Sequence, residues 1–235
     1  MKHVLSLEIY KLRKYPSHKI ILLLTLLLGL FMGYIAPRAD LDDLFNHLMN
    51  FGLFFAIVSA NMIGQRNDTT RMTIATGVKR GALYFSRLLV AMISGLQIMI
   101  VEAVALGVAS YMNGMTMTLK HGPLAIIYLI LMQLCALLIC VLLGYALGVL
   151  IPKGPWGILA GIGYHWYGGI AFSMISNNVL HLPVDCGKYT VQNIMEIASD
   201  YTFTVDSLLC CLITLFITIL FVLIVYIIKR KKDIA

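Results

Sequence analysis

The chain of 235 residues is 60% hydrophobic and only 12% charged, with a mean hydropathy of +0.88 and a formal net charge of +7. A soluble domain of this length could not hide so much apolar surface, so composition excludes a water-soluble globular protein and predicts an integral membrane one. The positive charge then belongs to individual loops and carries no nucleic-acid signal.

Crossing ~30 Å of hydrocarbon as a helix takes about 20 residues. Six runs meet that length, at 18–36, 44–64, 87–111, 124–151, 155–175 and 204–228, within a single all-α transmembrane domain over 1–235. Ahead of them, residues 1–16 place Met1, Leu5, Ile9 and Leu12 on one helical face and Lys2, Ser6, Arg13 and Lys14 on the other. This pattern predicts an elbow helix in the inner interface, turning into the membrane near Pro16. The first span is nearly pure leucine and is expected to face lipid along much of its surface. Tyr34-Ile35-Ala36-Pro37 makes a poor signal cleavage site, so the span is expected to be retained.

The second span carries Asn46, His47, Asn50, Ser59 and Asn61, and the third carries Gln97 and Glu102. Polar groups at these depths must face protein or water. Gly144-x-x-x-Gly148 in the fourth span, and Gly157, Gly161 and Gly163 in the fifth, allow close helix packing. His165 follows in the fifth. The long outer segment 176–203 is not simply polar. Val179, Leu180 and Leu182, then Val191, Ile194, Met195 and Ile197, predict short helices returning into the outer leaflet against protein.

Orientation follows from the basic residues. Fifteen lie in the N-terminal tail, the 65–87 segment, the Lys153 turn and the Lys229-Arg230-Lys231-Lys232 end, against three (Arg38, Lys120, Lys188) on the other side. The positive-inside rule therefore puts both termini in the cytoplasm. Four cysteines, Cys135, Cys140, Cys210 and Cys211, fall within spans as small apolar residues, and Cys186 alone faces outside.

The basic island between spans two and three, Gln65 to Arg87, has internal structure. Asn67, Asp68 and Thr69 offer acceptors to a helix start, and Gly77 can take the left-handed conformation that ends one. Val78-Lys79-Arg80 then leads into a new helix through Tyr84-Phe85-Ser86-Arg87. A helix this short is marginal alone and too polar for lipid, so it needs a protein to dock on. The plainer alternative is a solvated loop made basic by topology.

No G-x-x-x-x-G-K-[ST] phosphate loop occurs, so the chain itself is not expected to hydrolyse ATP. There is no H-E-x-x-H and no acid pair at helical spacing within a span, so neither a metal nor a cofactor is expected. Glu102 is expected to be protonated or hydrogen-bonded in the bundle, or to line a transport path. An intramembrane enzyme using Glu102 and His165 is one rival reading. A membrane sensor or scaffold is another.

The layout resembles permease subunits of ATP-binding-cassette exporters of the ABC-2 class. The parts are an elbow helix (1–16), six spans with both ends inside, a cytoplasmic segment (65–86) holding a coupling helix between spans two and three, and an outer re-entrant helical loop between spans five and six. The similarity is most specific at Asp68, Thr69-Thr70-Arg71, Gly77-Val78-Lys79-Arg80, Tyr84 and Arg87. The chain departs from the usual pattern in having Thr69-Thr70 for Gly-Thr and Arg87 for a frequent Lys. The resemblance implies ATPase-coupling roles for Asp68, Thr70, Arg71, Thr73, Ile74, Gly77, Val78, Lys79 and Arg80. It implies as partners a dimer of ATPase subunits using ATP and magnesium, and a second or sister permease, in the plasma membrane. A path lined by His47, Asn50, Gln97 and Glu102 would suit an amphipathic cargo, such as the peptides handled by bacitracin-type and lantibiotic-type resistance permeases.

Overall fold

The computed structural model describes residues 2–35, 41–65, 77–115, 122–152, 155–181, 183–199 and 204–232, with the backbone alone for 2, 41–50, 195, 197–199, 231 and 232. Every regular element among them is helical. In order they are α1 (Lys2–Lys14), α2 (Pro16–Ile35), α3 (Leu41–Gly64), α4 (Arg80–Met112), α5 (Pro123–Leu150), α6 (Trp156–Met174), α7 (Val191–Ser199) and α8 (Val205–Lys232). A π-helical turn, Ile175–Val179, extends α6, and a 3₁₀ turn, Cys186–Tyr189, precedes α7.

Helix ends follow the local chemistry of the chain. Pro16 breaks α1 from α2, and Pro123 opens α5 just after Gly122 at φ +81°. At the end of α4, Gly114 takes φ +86°, its amide reaches the carbonyl of Tyr111, and the Met115 amide reaches that of Ser110. That is a Schellman stop, closed by Met115 packing on Leu106. Asn113 then ties the end of α2, donating from Nδ2 to the Tyr34 carbonyl at 2.9 Å.

Four helices, α2, α4, α5 and α8, are long and apolar enough to cross a membrane. The surfaces of α8 and α2 are inverted relative to a soluble bundle. The buried stripe of α8 is Ser207, Cys211, Thr214, Thr218, Val222 and Val225, whereas Leu212, Phe216, Ile217, Leu220 and Ile224 point outward. On α2, His18, Thr25, Gly29 and Gly33 face inward and Leu23, Leu24, Leu27 and Phe31 face out. Small and polar residues inside, with large aliphatics outside, is the arrangement helices take where hydrocarbon is the solvent.

The most enclosed helix is α5, which packs against α3, α4, α6, α7 and α8. Leu129, Met132, Ala136, Ile139, Cys140 and Tyr145 of α5 are fully enclosed. Gly144 and Gly148 let α3 approach to backbone distance: a Cβ at Gly144 would lie 2.6 Å from the Ile57 carbonyl oxygen, and one at Gly148 would land on that of Asn61. Gly157 and Gly161 of α6 sit against Asn61 and Ile57, while Gly163 faces open space. A second close seam joins α2 to α4, where Gly29 and Gly33 meet Ala105, Leu106 and Ala109. The Gly29-x-x-x-Gly33 pair has the same spacing as Gly144-x-x-x-Gly148, hidden in a leucine-rich run.

The apolar face expected on the first helix is turned to the bundle. Leu12 is buried, Leu5 and Ile9 pack on the core, and Ser6, Arg13 and Lys14 are exposed.

Candidate functional site at the base of α4

The basic island enters the described residues at Gly77. Its φ of +87°, with nothing among the described residues within 4 Å of a notional Cβ, marks a glycine used for its backbone conformation. Val78 and Lys79 follow without regular structure, and α4 starts at Arg80. Residues 66–76, and with them Asp68, Thr70, Arg71, Thr73 and Ile74, lie outside the described residues.

The first turns of α4 are fastened on three sides. Towards α8, the Tyr84 hydroxyl donates to the Val222 carbonyl at 3.0 Å, and the Tyr84 and Tyr226 rings stand 5.0 Å apart. Towards α5, the Tyr145 hydroxyl donates to the Tyr84 carbonyl at 2.9 Å, with ring centroids 5.2 Å apart. Both phenols bring a polar tip into an apolar wall and find a carbonyl there, as buried tyrosines require.

Towards α1, Arg87 meets Glu8 with Nε 3.5 Å from Oε2. Glu8 is fully buried, Arg87 is 5% exposed, and Lys11 reaches Oε1 at 2.8 Å. Glu8 occupies the buried side of α1 together with Leu5 and Leu12. Two opposite charges taken out of water hold one geometry, because losing either leaves the other uncompensated. The base of α4 is thus bonded to α1, α5 and α8 at once.

The polar residues of the spans fall in different places. Glu102 is 3% exposed where α4 meets α3, its carboxyl set against the backbone at Gly52. Gln97 is exposed on the side of α4 that faces α2, its Oε1 3.1 Å from His18 Nε2. His18 Nδ1 lies 3.2 Å from Ser94 Oγ, which lies 2.6 Å from Ser59 Oγ. Gln97 thus faces α2, and Glu102 faces α3. The side chains of His47 and Asn50 lie outside the description. His165 is buried on α6, which packs on α3 and α5. Among the described residues no three His, Cys, Asp or Glu side chains gather as a metal site would need.

At the opposite end, residues 183–194 fold back onto the bundle. Val191 and Ile194 are fully buried, whereas Val179 and Leu180 stay exposed. Asp185 anchors the turn, accepting from Ser173 Oγ at 2.7 Å and from the Gly187 amide at 2.8 Å. The Ser173 hydroxyl, and then the Gly187 amide, hold its carboxyl below the usual range. Its contribution to the turn is present above its ordinary pKa and is lost as pH falls through the lowered one.

Span length and charge balance do not mark Glu8, His18 or the Gly29–Gly33 pair. The signal for Glu8 was available: it is the lone acid in a basic segment, three residues after Leu5 and four before Leu12 on the inward face.

The fold defines the class, an all-helical protein whose long apolar helices suit a membrane. Comparison with protein families, with characterised proteins and with solved structures finds no match to this chain.

Proposed function

We propose that the chain is the membrane permease subunit of an ATP-driven exporter, with α2, α3, α4, α5, α6 and α8 as six spans and both termini in the cytoplasm. A separate pair of ATPase subunits binds ATP and magnesium and docks on residues 65–80. A second copy or a sister permease completes the path. The cargo is amphipathic, a membrane-active peptide being the type that suits a mostly apolar route with scattered polar groups. The chain performs no chemistry of its own.

One junction carries this reading. The basic segment leads straight into a helix base bonded to α8 through Tyr84, to α5 through Tyr145 and to α1 through Arg87 and Glu8. A push delivered at 65–80 would reach four helices together instead of fraying one. Such a rigid root is what a transporter without its own nucleotide site needs in order to turn a partner's stroke into helix movement. A solvated loop would need none of it.

Topology is the first test. On intact cells, a membrane-impermeant maleimide is expected to label Cys186, or a cysteine placed at the exposed Lys188, but not one placed at Thr73. Opening the membrane should then expose Thr73→Cys. The reverse pattern would put the 65–87 segment outside the cell and end the proposal.

A further inference from the structure

A groove of about 450 Å³ runs along the outside of the bundle between α2 and α4, lined by Arg13, His18, Lys19, Leu22, Gln97, Ile100 and Val101. Its chemistry changes along its length. At one end stand two exposed cations, Arg13 and Lys19, flanking the break at Tyr15 where α2 begins. At the other end stand Leu22, Ile100 and Val101, continuous with the outward leucines of α2. No acidic side chain lines the groove among the described residues.

The polar middle is held in advance. His18 is fixed from both sides by Ser94 and Gln97. Gln97, paired with the imidazole through Oε1, places a side-chain amide in the wall of the groove. Cations at the helix start, polar side chains beside them and an aliphatic floor beyond match a phosphate that carries an acyl chain. Basic pockets between helices at a membrane face bind anionic headgroups. A free phosphate would use the cations and gain nothing from Leu22, Ile100 and Val101.

We propose that this groove is a binding site for one anionic glycerophospholipid, its phosphate on Arg13 and Lys19 and one acyl chain along Leu22, Ile100 and Val101. The site rests on α2 crossing the bilayer with Lys19 at its inner end, and not on ATP-driven transport. A lipid seated there would bridge the start of α2 to the middle of α4 and brace the helix whose base is fastened to α1.

Native mass spectrometry of the full-length protein in detergent tests this. The probes are dioleoylphosphatidylglycerol, dioleoylphosphatidylcholine and inorganic phosphate, each added alone and then in competition. The expected result is one retained phosphatidylglycerol adduct, with phosphatidylcholine held at least tenfold more weakly and inorganic phosphate unable to displace the lipid. Arg13→Ala with Lys19→Ala should lose the adduct at least tenfold, while Lys14→Ala with Arg230→Ala, removing the same charge from exposed sites elsewhere, should keep it. All four substituted side chains lie on the surface, and an unchanged melting temperature identifies folded variants. Equal loss in both double variants would reduce the effect to general charge and overturn the site. So would displacement by inorganic phosphate, or a second copy of the chain in place of the lipid.

Discussion

Glu8→Ala is expected to be among the most damaging single substitutions in the described part of the chain. Glu8 is fully buried between Lys11 at 2.8 Å and Arg87 at 3.5 Å, and Arg87 is itself 5% exposed. Breaking a buried ion pair by removing one partner costs about 3–5 kcal/mol, because an uncompensated charge stays behind. The expected readout is a sharp fall in folded yield and in detergent melting temperature. Replacing both partners by methionine should recover much of that loss, since a buried pair exchanged for packed apolar groups is often neutral. A single Glu8→Ala that melts like the parent would show that α1 is not fastened to α4 in this way. A double variant as poor as the single one would show that the pair contributes shape and not charge compensation.

Gly148→Leu should be comparably severe for a different reason. A Cβ at position 148 would land on the Asn61 carbonyl oxygen, which belongs to the backbone of α3 and cannot rotate away as a side chain would. Overpacking of a tight seam typically costs about 1–3 kcal/mol, and a branched side chain against backbone belongs at the upper end or beyond. The α3–α5 seam also holds the hydrogen bond from Asn61 Nδ2 to the Gly144 carbonyl at 3.2 Å, so separating the helices loses that as well. Gly107→Ala and Gly163→Ala are the matched controls: nothing lies within 4 Å of either notional Cβ, and alanine is the better helix former. Thermal unfolding in detergent should rank Gly148→Leu far below both. If all three melt alike, close approach at α5 does not hold the bundle together.

Helix placement was largely legible in the chain because long apolar runs with glycine and proline at their ends allow few alternatives. The apolar run at 87–111 lies inside α4, Arg80–Met112, and the run at 124–151 matches α5, Pro123–Leu150, to within a residue. The close packing at Gly144 and Gly148 was legible for the same reason, since a spacing of four puts two small residues on one helical face. The site was less legible. Gly77 could be read alone, because a positive φ is a property of one residue. The Glu8–Arg87 pair could not, because it joins positions far apart in sequence, and apolar spacing on α1 says nothing about which acid the bundle encloses. Gln97 and Glu102 look alike as polar residues in one span, but five residues of helix turn them towards different neighbours, α2 and α3. Sequence distance measures depth along a helix well and partnership across helices poorly.

The central claim is that residues 65–80 receive an ATPase, and a photocrosslinker at position 73 tests it most directly. With a benzophenone side chain in place of Thr73, in membranes of the native cell, illumination should join the full-length chain to a peripheral subunit that carries a phosphate-binding loop. The yield should fall when Arg71 is reversed to glutamate, because an interface anchor lost costs about 2 kcal/mol or more. Crosslinks to lipid or to nothing, in a chain that still reaches the membrane and folds, would contradict the claim.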